Sequence, residues 1–415
     1  MMSDIRFVLT RYQTGILAYS INTQSNRLET VRYYKNTSEK ESLLSSKDDN
    51  NIINIGDIFV AKVMNIVGSI KAAFIDYQKG KHGYLPIDAI SNPVLLNRSF
   101  DGRLKAGDEI LVQLEKEAVR SKEPVFTSNL SIAGKYCVVT SGNRSKGVSK
   151  KCSKPVREQL LNAIPDDINY GVVIRTNAEE LITGDSNSLA LLDKECRFLS
   201  RQMDSLLNEG IHRTCYSRVW QSPPPYLTML RDIRNITFSQ IITDDNELYD
   251  ELSAFLKFAS PDMLEKLKLY TDNSYPLNKL YCIETKLKEL LSTKVWLKSG
   301  AYLVIEKTEA MYVIDVNSGK NISKKSNADY ILAINLEAAR EIMYQLRLRN
   351  LTGMILVDFI NMEHAADKEK LLAQLRHDAR QDMVKTTIVD MTALELVEIT
   401  RQKNQKSLAE QLYIF

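Results

Sequence analysis

A chain of 415 residues, 44% hydrophobic and 26% charged, has the composition of a soluble globular protein and the length for two or more domains with cores of their own. Its 55 basic residues against 52 acidic leave a net charge of +3, which excludes a global field for a polyanion; nucleic-acid binding would have to come from local patches. Five scattered cysteines without a C-x-x-C pair, and four dispersed histidines, argue for a reducing compartment and against a disulfide framework or a zinc cluster.

The start of the chain shows neither a secretory core nor a transit peptide, and no apolar run approaches the ~20 residues of a membrane span. The protein is therefore expected to act where it is made, away from a membrane. Residues 7–19 and 28–34 alternate as a hairpin, and 36–51 is a polar, turn-rich linker. From residue 54 come short runs, G-D-I-F-V-A-K-V, S-I-K-A-A-F-I-D-Y, K-H-G-Y-L-P-I and G-D-E-I-L-V-Q-L, with glycine-marked turns. Four or five such strands within about 75 residues predict a small closed barrel of the OB type. Phe74, His82 and Tyr84 with Lys62, Lys79 and Lys81 mix rings and charge, as a barrel that stacks and neutralises a single strand would. Aromatic residues of a small barrel are nonetheless more often core than platform.

Residues 141–157 form the one dense basic stretch, a solvated loop or a phosphate contact. A buried strand at 170–176 ends in Arg175 and Thr176, a fork and hydroxyl that can hold a phosphate or equally cap a loop. Residues 186–210 predict a helix with Leu192, Cys196, Leu199, Met203 and Leu206 along one stripe and Gly210 as its stop. Q-S-P-P-P-Y at 221–226 marks a boundary; beyond it lie a short strand at 240–242 and a helix at 246–258 with Leu248, Leu252 and Phe255 inward.

The richest stretch is 302–362. Strands at 303–305 and 311–316 are joined by a turn at 308–310, and alternation puts Asp315 and Asn317 on one face. A helix at 329–350 carries Ile331, Ile334, Ala338, Ile342 and Leu346 inward, and its exit brings Arg347 and Arg349 close to Asp358. Residues 353–360 read as a fully buried strand, in which Asp358 has to be paired, neutralised or bound to a metal. Two carboxylates and an amide oxygen suit Mg²⁺, with Mn²⁺ as the alternative; loop caps or pairing with arginine are the plain explanation. On a helix at 368–382, Arg376 and Arg380 sit one turn apart, followed by Lys385, where a shared anion or a solvated face accounts for them.

Three blocks carry a resemblance: Y-V-I-D-V-N-S-G at 312–319, N-L-E-A-A-R-E-I-M-Y-Q-L-R-L-R-N-L-T-G-M-I-L-V-D-F-I-N-M at 335–362, and A-A-F-I-D-Y with H-G-Y-L-P between 72 and 86. With interruptions from about 54 to 402, the chain resembles the catalytic half of the ribonuclease E/G family. The resemblance implies an α+β multidomain protein. An OB-fold RNA-binding barrel (51–128) and a 5′-monophosphate sensor domain (129–221) would be inserted into a ribonuclease-H-like subdomain (1–50 and 222–288). A DNase-I-like catalytic subdomain (289–402) and a C-terminal tail (403–415) would follow.

By the same resemblance, Asp315 and Asp358 match the Mg²⁺ ligands and Asn317 the residue that positions water or the scissile phosphate. Arg175 and Thr176 match the grip on the 5′ phosphate, with Gly134 and Val138 lining that pocket. Phe74, Tyr84 and Lys122 match RNA contacts on the barrel, and Arg380 and Lys385 match basic positions near the scissile strand, Lys385 standing where relatives can have Arg. The family's C-P-x-C zinc link is missing, so no zinc site is expected, although a homodimer through the catalytic subdomains remains compatible. By the same comparison, no degradosome-scaffolding tail is expected. The short form resembles a plastid-encoded member, with the bacterial cytoplasm as the alternative. The expected function is Mg²⁺-dependent endonucleolytic cleavage of single-stranded, A/U-rich RNA in RNA processing and decay, stimulated by a 5′-monophosphate and leaving 5′-phosphate and 3′-hydroxyl ends. The competing expectation is a non-catalytic RNA-binding or ribosome-assembly protein that kept the fold.

Overall fold

The computed structural model describes residues 4–35, 53–88, 90, 92–118, 123–182, 188–233, 236–272, 274–319, 328–403 and 405–412. The polar stretch at 36–51 and Lys122 lie outside the described residues. Contacts divide the chain into two units, one of Met1–Asn36, Asn235–Ala254 and Asp262–Phe415, the other of Thr37–Arg234 and Phe255–Pro261.

In the second unit, five strands run Ile58–Val67, Ala72–Gln78, Lys81–Pro86, Val125–Thr127 and Glu109–Lys116 around a barrel. Pairing of the first with the last, Ile58 opposite Gln113 through Lys62 opposite Glu109, closes it. Closure removes the open edge that a short antiparallel sheet would otherwise expose. Alternation sends Phe59, Ala61, Val63, Ile75, Leu85, Ile110, Val112 and Phe126 into one buried core. Gly83 is glycine because a Cβ there would fall 2.5 Å from the Phe126 ring.

Beside the barrel lies a four-stranded sheet ordered Lys146–Val148, Gly171–Ile174, Cys137–Thr140, Ser131–Ala133. The basic stretch is therefore more than a loop: it supplies the first of these strands and the start of helix Lys154–Asn162, whose Pro155 suits a first turn that needs no donor. Helix Ser188–Gly210 buries Leu192, Cys196, Leu199, Met203 and Leu206, the stripe its periodicity predicts. Gly210 ends the helix where the sequence puts its stop, and it has a packing role as well. It is the last residue of the helix, and a Cβ on it would meet Leu111 Cδ1 at 2.8 Å, so it allows close packing on the barrel.

In the first unit, residues 5–35 make three strands rather than two, Ile5–Tyr12, Gly15–Asn22 and Arg27–Lys35. Gln13, at φ +51°, turns the chain inside the first alternating run. Phe238–Thr243 joins Ile5–Tyr12 in parallel, and Leu267–Leu269 completes a five-stranded sheet. In helix Asn246–Ala259 the buried set is Leu248, Leu252 and Leu256, with Phe255 only half buried, because i, i+4, i+8 stays on one face.

The other sheet of this unit has six strands in the order Lys294–Trp296, Tyr302–Lys307, Met311–Asn317, Gly353–Asp358, Leu396–Arg401, Thr386–Met391. Helices Ala328–Leu348 and Ala365–Gln381 share a core with one face of it, through Leu303, Ile305, Ile314, Val316, Ile355 and Val357. The first of these helices ends in a Schellman turn: Leu351 N–H donates to Leu346 O, Asn350 N–H donates to Arg347 O, and Asn350 sits at φ +49°.

Two expectations fail here. Strand Gly353–Asp358 is covered on one face only, with Met354 52% exposed and Asp358 exposed, because helices pack on a single side of the sheet. Arg347 and Arg349 leave the helix at the Gly353 end of that strand, whereas Asp358 closes the other end, five residues or about 16 Å away. The Arg349 guanidinium turns instead to Gln345 Oε1 (2.7 Å) and Ser292 O (2.7 Å). Of the residues after 403, those described are 405–412. Helix Leu408–Gln411, held by a Ser407–Glu410 capping box, buries Leu408 and Leu412 in the core under the five-stranded sheet.

Candidate active site

Asp315 is the fifth residue of strand Met311–Asn317 and Asp358 the last of Gly353–Asp358. The two strands are parallel neighbours, and their register sets Asp315 directly opposite Asp358. Neighbouring strands lie about 4.8 Å apart, so the carboxylates start from backbone positions close enough to share one ion. The strand–helix–strand connection puts both acids at the carboxyl ends of parallel strands, where α/β sheets gather their ligands. Both are exposed on the face that the helices leave open. The sequence-based reason for a metal, a charge buried in an apolar strand, therefore does not apply. The reason that remains is the juxtaposition of two like charges.

Asn317 is two residues on and on the same face, and its Nδ2 donates to Asp315 Oδ2 at 2.7 Å. This bond fixes one carboxylate oxygen and leaves the other, with those of Asp358, toward solvent. Two carboxylates fit Mg²⁺, which binds through one or two of them and keeps most of its waters. Among the described residues no group of three or more His, Cys, Asp or Glu side chains is placed to hold a metal.

The same face continues outward along the register. Tyr302 stands opposite Asn317, and Trp296 opposite Tyr302. A depression of about 640 Å³ is lined there by Trp296, Tyr302, Asn317, Ser318 and Gly319. Gly319, at φ +71°, lets the chain leaving the Asp315 strand pass the Gly300 turn; a Cβ would come within 2.4 Å of Gly300 O.

On the far side of Asp358 the chain is held by a residue the sequence reading missed. Asn335, fully buried, donates from Nδ2 to Ile360 O (2.7 Å) and accepts at Oδ1 from Ile360 N–H (3.2 Å). A polar residue beside the apolar stripe of its helix was the available clue.

Arg380 and Lys385 are exposed but not beside the acids. Lys385 directly precedes Thr386, which pairs with Arg401 as Gly353 does, so it stands at the opposite end of the sheet from Asp358. Arg380 is in the last turn of the helix leading there, and Arg376 pairs with Glu369 (3.2 Å).

In the other unit, Arg175 donates through Nη1 to Gly134 O (2.6 Å) and Asp232 Oδ1 (2.8 Å); among the described residues its Nε and Nη2 make no hydrogen bond. Val138 pairs with Val173, on the strand that leads into Arg175, and Thr176 Oγ1 donates to Ser149 Oγ (2.9 Å). Gly134 and Val138 on one side and Arg175 and Thr176 on the other thus belong to neighbouring strands of the four-stranded sheet and the turns at their ends. Two acids in this cluster were not legible beforehand. Glu195 accepts from the backbone N–H groups of Lys135, Tyr136 and Cys137 (2.7, 2.7 and 2.9 Å), and a Cβ on Gly134 would collide with it at 2.5 Å. Burial pushes the Asp232 carboxyl upward, but Arg231 and Arg175 outweigh it and hold it below the usual value. Such contacts join positions 41 to 60 residues apart, which no local pattern encodes.

On the barrel, Phe74 and Tyr84 are cross-strand partners, half-exposed, with ring centroids 6.1 Å apart in an edge arrangement. They are surface rings; the core aromatics are Phe59, Tyr77 and Phe126. His82 turns to Asp76 (2.6 Å).

Compared with known proteins, residues 131–404 match the family model described as Ribonuclease E/G family. Ribonuclease G of Escherichia coli (strain K12) is 29% identical over 367 residues, covering 85% of this chain and 74% of that protein. Ribonuclease E of Haemophilus influenzae is 29% identical over 367 residues, covering 85% of this chain and 38% of that protein. Ribonuclease E of Escherichia coli (strain K12) is 30% identical over 366 residues, covering 85% of this chain and 34% of that protein.

Proposed function

The chain belongs to the ribonuclease E/G family and is an endoribonuclease of that type, and from that premise we propose that it hydrolyses single-stranded, A/U-rich RNA with Mg²⁺ at Asp315 and Asp358. The observation that carries the reading is the register: two exposed carboxylates face each other across parallel strands, and Asn317 fixes one of them. Bound there, Mg²⁺ would polarise a phosphodiester and lower the pKa of an attacking water. The protein's share is positional. The Asn317 amide holds Asp315 in one orientation, and the Asn335 clamp fixes the chain just beyond Asp358. Water attack forms a new P–O bond and breaks the bond to the 3′ oxygen, leaving a 3′-hydroxyl and a 5′-phosphate.

The Arg175 cluster is the proposed 5′-monophosphate site. The remaining nitrogens of the Arg175 fork and the Thr176 hydroxyl would take the phosphate, and Gly134 and Val138 would form its wall. Phe74 and Tyr84 would stack bases on the barrel. Arg380 and Lys385 would touch phosphates further along the strand than the scissile one.

The test is cleavage of a short 5′-monophosphorylated A/U-rich RNA in Mg²⁺ or EDTA, with end-group analysis. Mg²⁺-dependent cutting that drops at least about 10²-fold in Asp315→Asn, with RNA binding retained, supports the reading. Binding without any metal-dependent cleavage would favour an RNA-binding protein that lost turnover.

A further inference from the structure

The open face of the six-stranded sheet carries a feature that the hydrolytic machinery does not use. Trp296 is 64% exposed, an unusual place for the largest apolar side chain. Its ring centroid lies 5.2 Å from that of Tyr302, tilted by 59°. The Lys294 ammonium sits 4.1 Å from the Trp296 ring centroid and 3.7 Å from that of Tyr302. Two rows of the register explain the arrangement. Trp296, Tyr302 and Asn317 form one row across three strands; Lys294, Val304, Asp315 and Asp358 form the next row on the same face. The platform and the acid pair are thus one continuous surface, with Trp296 two strand spacings, about 10 Å, from Asn317.

The turn beneath is built firmly. Glu337, from the helix behind the sheet, accepts from the backbone N–H groups of Lys298 (2.8 Å) and Ser299 (3.3 Å). Gly319 packs its backbone against Gly300. A solvated loop has no need of such support, whereas a surface that must hold a flat ligand in one place does.

We propose that Trp296 and Tyr302, with Lys294, form a stacking subsite for an unpaired base of the nucleotide flanking the cleaved bond, the ammonium meeting its phosphate. The proposal rests on the reading of Asp315 and Asp358 as the hydrolytic centre. An aromatic face with an adjacent cation is the chemistry that holds single-stranded nucleic acid without reading its sequence. A base locked in a duplex has no free face to offer, so the subsite also accounts for a preference for unpaired RNA.

Trp296 is one of only two tryptophans, the other being Trp220, so Trp220→Phe makes it the sole indole reporter. In that background and in EDTA, where nothing is cut, an A/U-rich oligoribonucleotide is expected to quench Trp296 emission saturably. With Mg²⁺, Trp296→Ala is expected to raise KM about tenfold, Trp296→Phe to recover most of the loss, and kcat to stay near that of the parent. An abasic nucleotide beside the cleaved bond should abolish the difference between parent and Trp296→Ala. Unquenched emission on saturating RNA, or an alanine penalty that persists on the abasic substrate, overturns the proposal. So does a concentration-dependent change in Trp296 emission without RNA, which would place a second copy of the chain on the platform. If the parent protein cuts nothing, the hydrolytic reading fails by itself, and the quenching in EDTA still decides the stacking.

Discussion

Arg175 illustrates how one side chain is shared between structure and ligand. Its Nη1 is committed to Gly134 O and Asp232, and Asp232 is held ionised by Arg231 and Arg175 together. A 5′ phosphate would compete with Asp232 for the same fork. Asp232→Asn is therefore expected to increase the preference for 5′-monophosphorylated over 5′-hydroxyl RNA several-fold, and Arg175→Ala to bring it close to one. Both are read as the ratio of cleavage rates on the two substrates. A ratio unchanged in both variants would make this cluster an ordinary loop anchor.

At the scale of elements, the site depends on how strand Gly353–Asp358 is terminated. Asn335 satisfies both polar groups of Ile360 from inside the helix core. Asn335→Leu fills the volume but strands the part-buried N–H and C=O of Ile360, at up to about 1–3 kcal/mol for each. Thermal unfolding should shift down by several degrees, and turnover should fall more than RNA affinity does, since the chain beyond Asp358 loses its anchor. Equal loss of turnover and affinity would mean that the clamp only supports folding. Much of this element structure was legible beforehand: the 303–316 hairpin and the buried stripes of helices Ser188–Gly210 and Ala328–Leu348 follow from periodicity. Periodicity points Phe255 inward where Leu256 is buried, and the run at 353–360 reads as covered on both faces. An all-apolar run does not say how many faces are covered.

At the scale of the whole molecule, charge and burial set the working conditions. Arg401 and Asp382, 1% and 2% exposed, form a buried pair at 2.8 Å, and Arg401 also donates to Asn350 Oδ1 (2.8 Å). Burial pushes the Asp382 carboxyl up, but the Arg401 bond and charge and the Thr386 hydroxyl outweigh it, leaving it below its usual value. A depressed carboxylate contributes stability that is present above its unfolded pKa of about 3.9 and lost as pH falls through the folded one. Denaturant midpoints should therefore decline below about pH 4. Asp382→Asn should flatten that decline, at a cost of about 3–5 kcal/mol near neutral pH for the uncompensated arginine. With a net charge of only +3, RNA affinity has to come from individual cations. Arg380→Gln should reduce the slope of log affinity against log salt by about 0.7 on a long single strand. A short oligonucleotide spanning only the acid pair should not feel the change, since Arg380 lies toward the other end of the sheet.

The sequence by itself determined the residue types and their local spacing: an acid and an amide two apart on a strand, a second acid ending another, a barrel's worth of short alternating runs, and family blocks long enough to be recognised. Those are properties of neighbours along the chain, and periodicity expresses them directly. Only the tertiary structure decided that Asp315 stands opposite Asp358, that both face solvent, and that Arg380 and Lys385 lie away from them. It alone joined Trp296 and Tyr302 to the same surface and brought Asp232 and Glu195 to the Arg175 cluster. Strand register and long-range packing create these relations, and they are set by the summed burial of many side chains rather than by any residue's own neighbourhood.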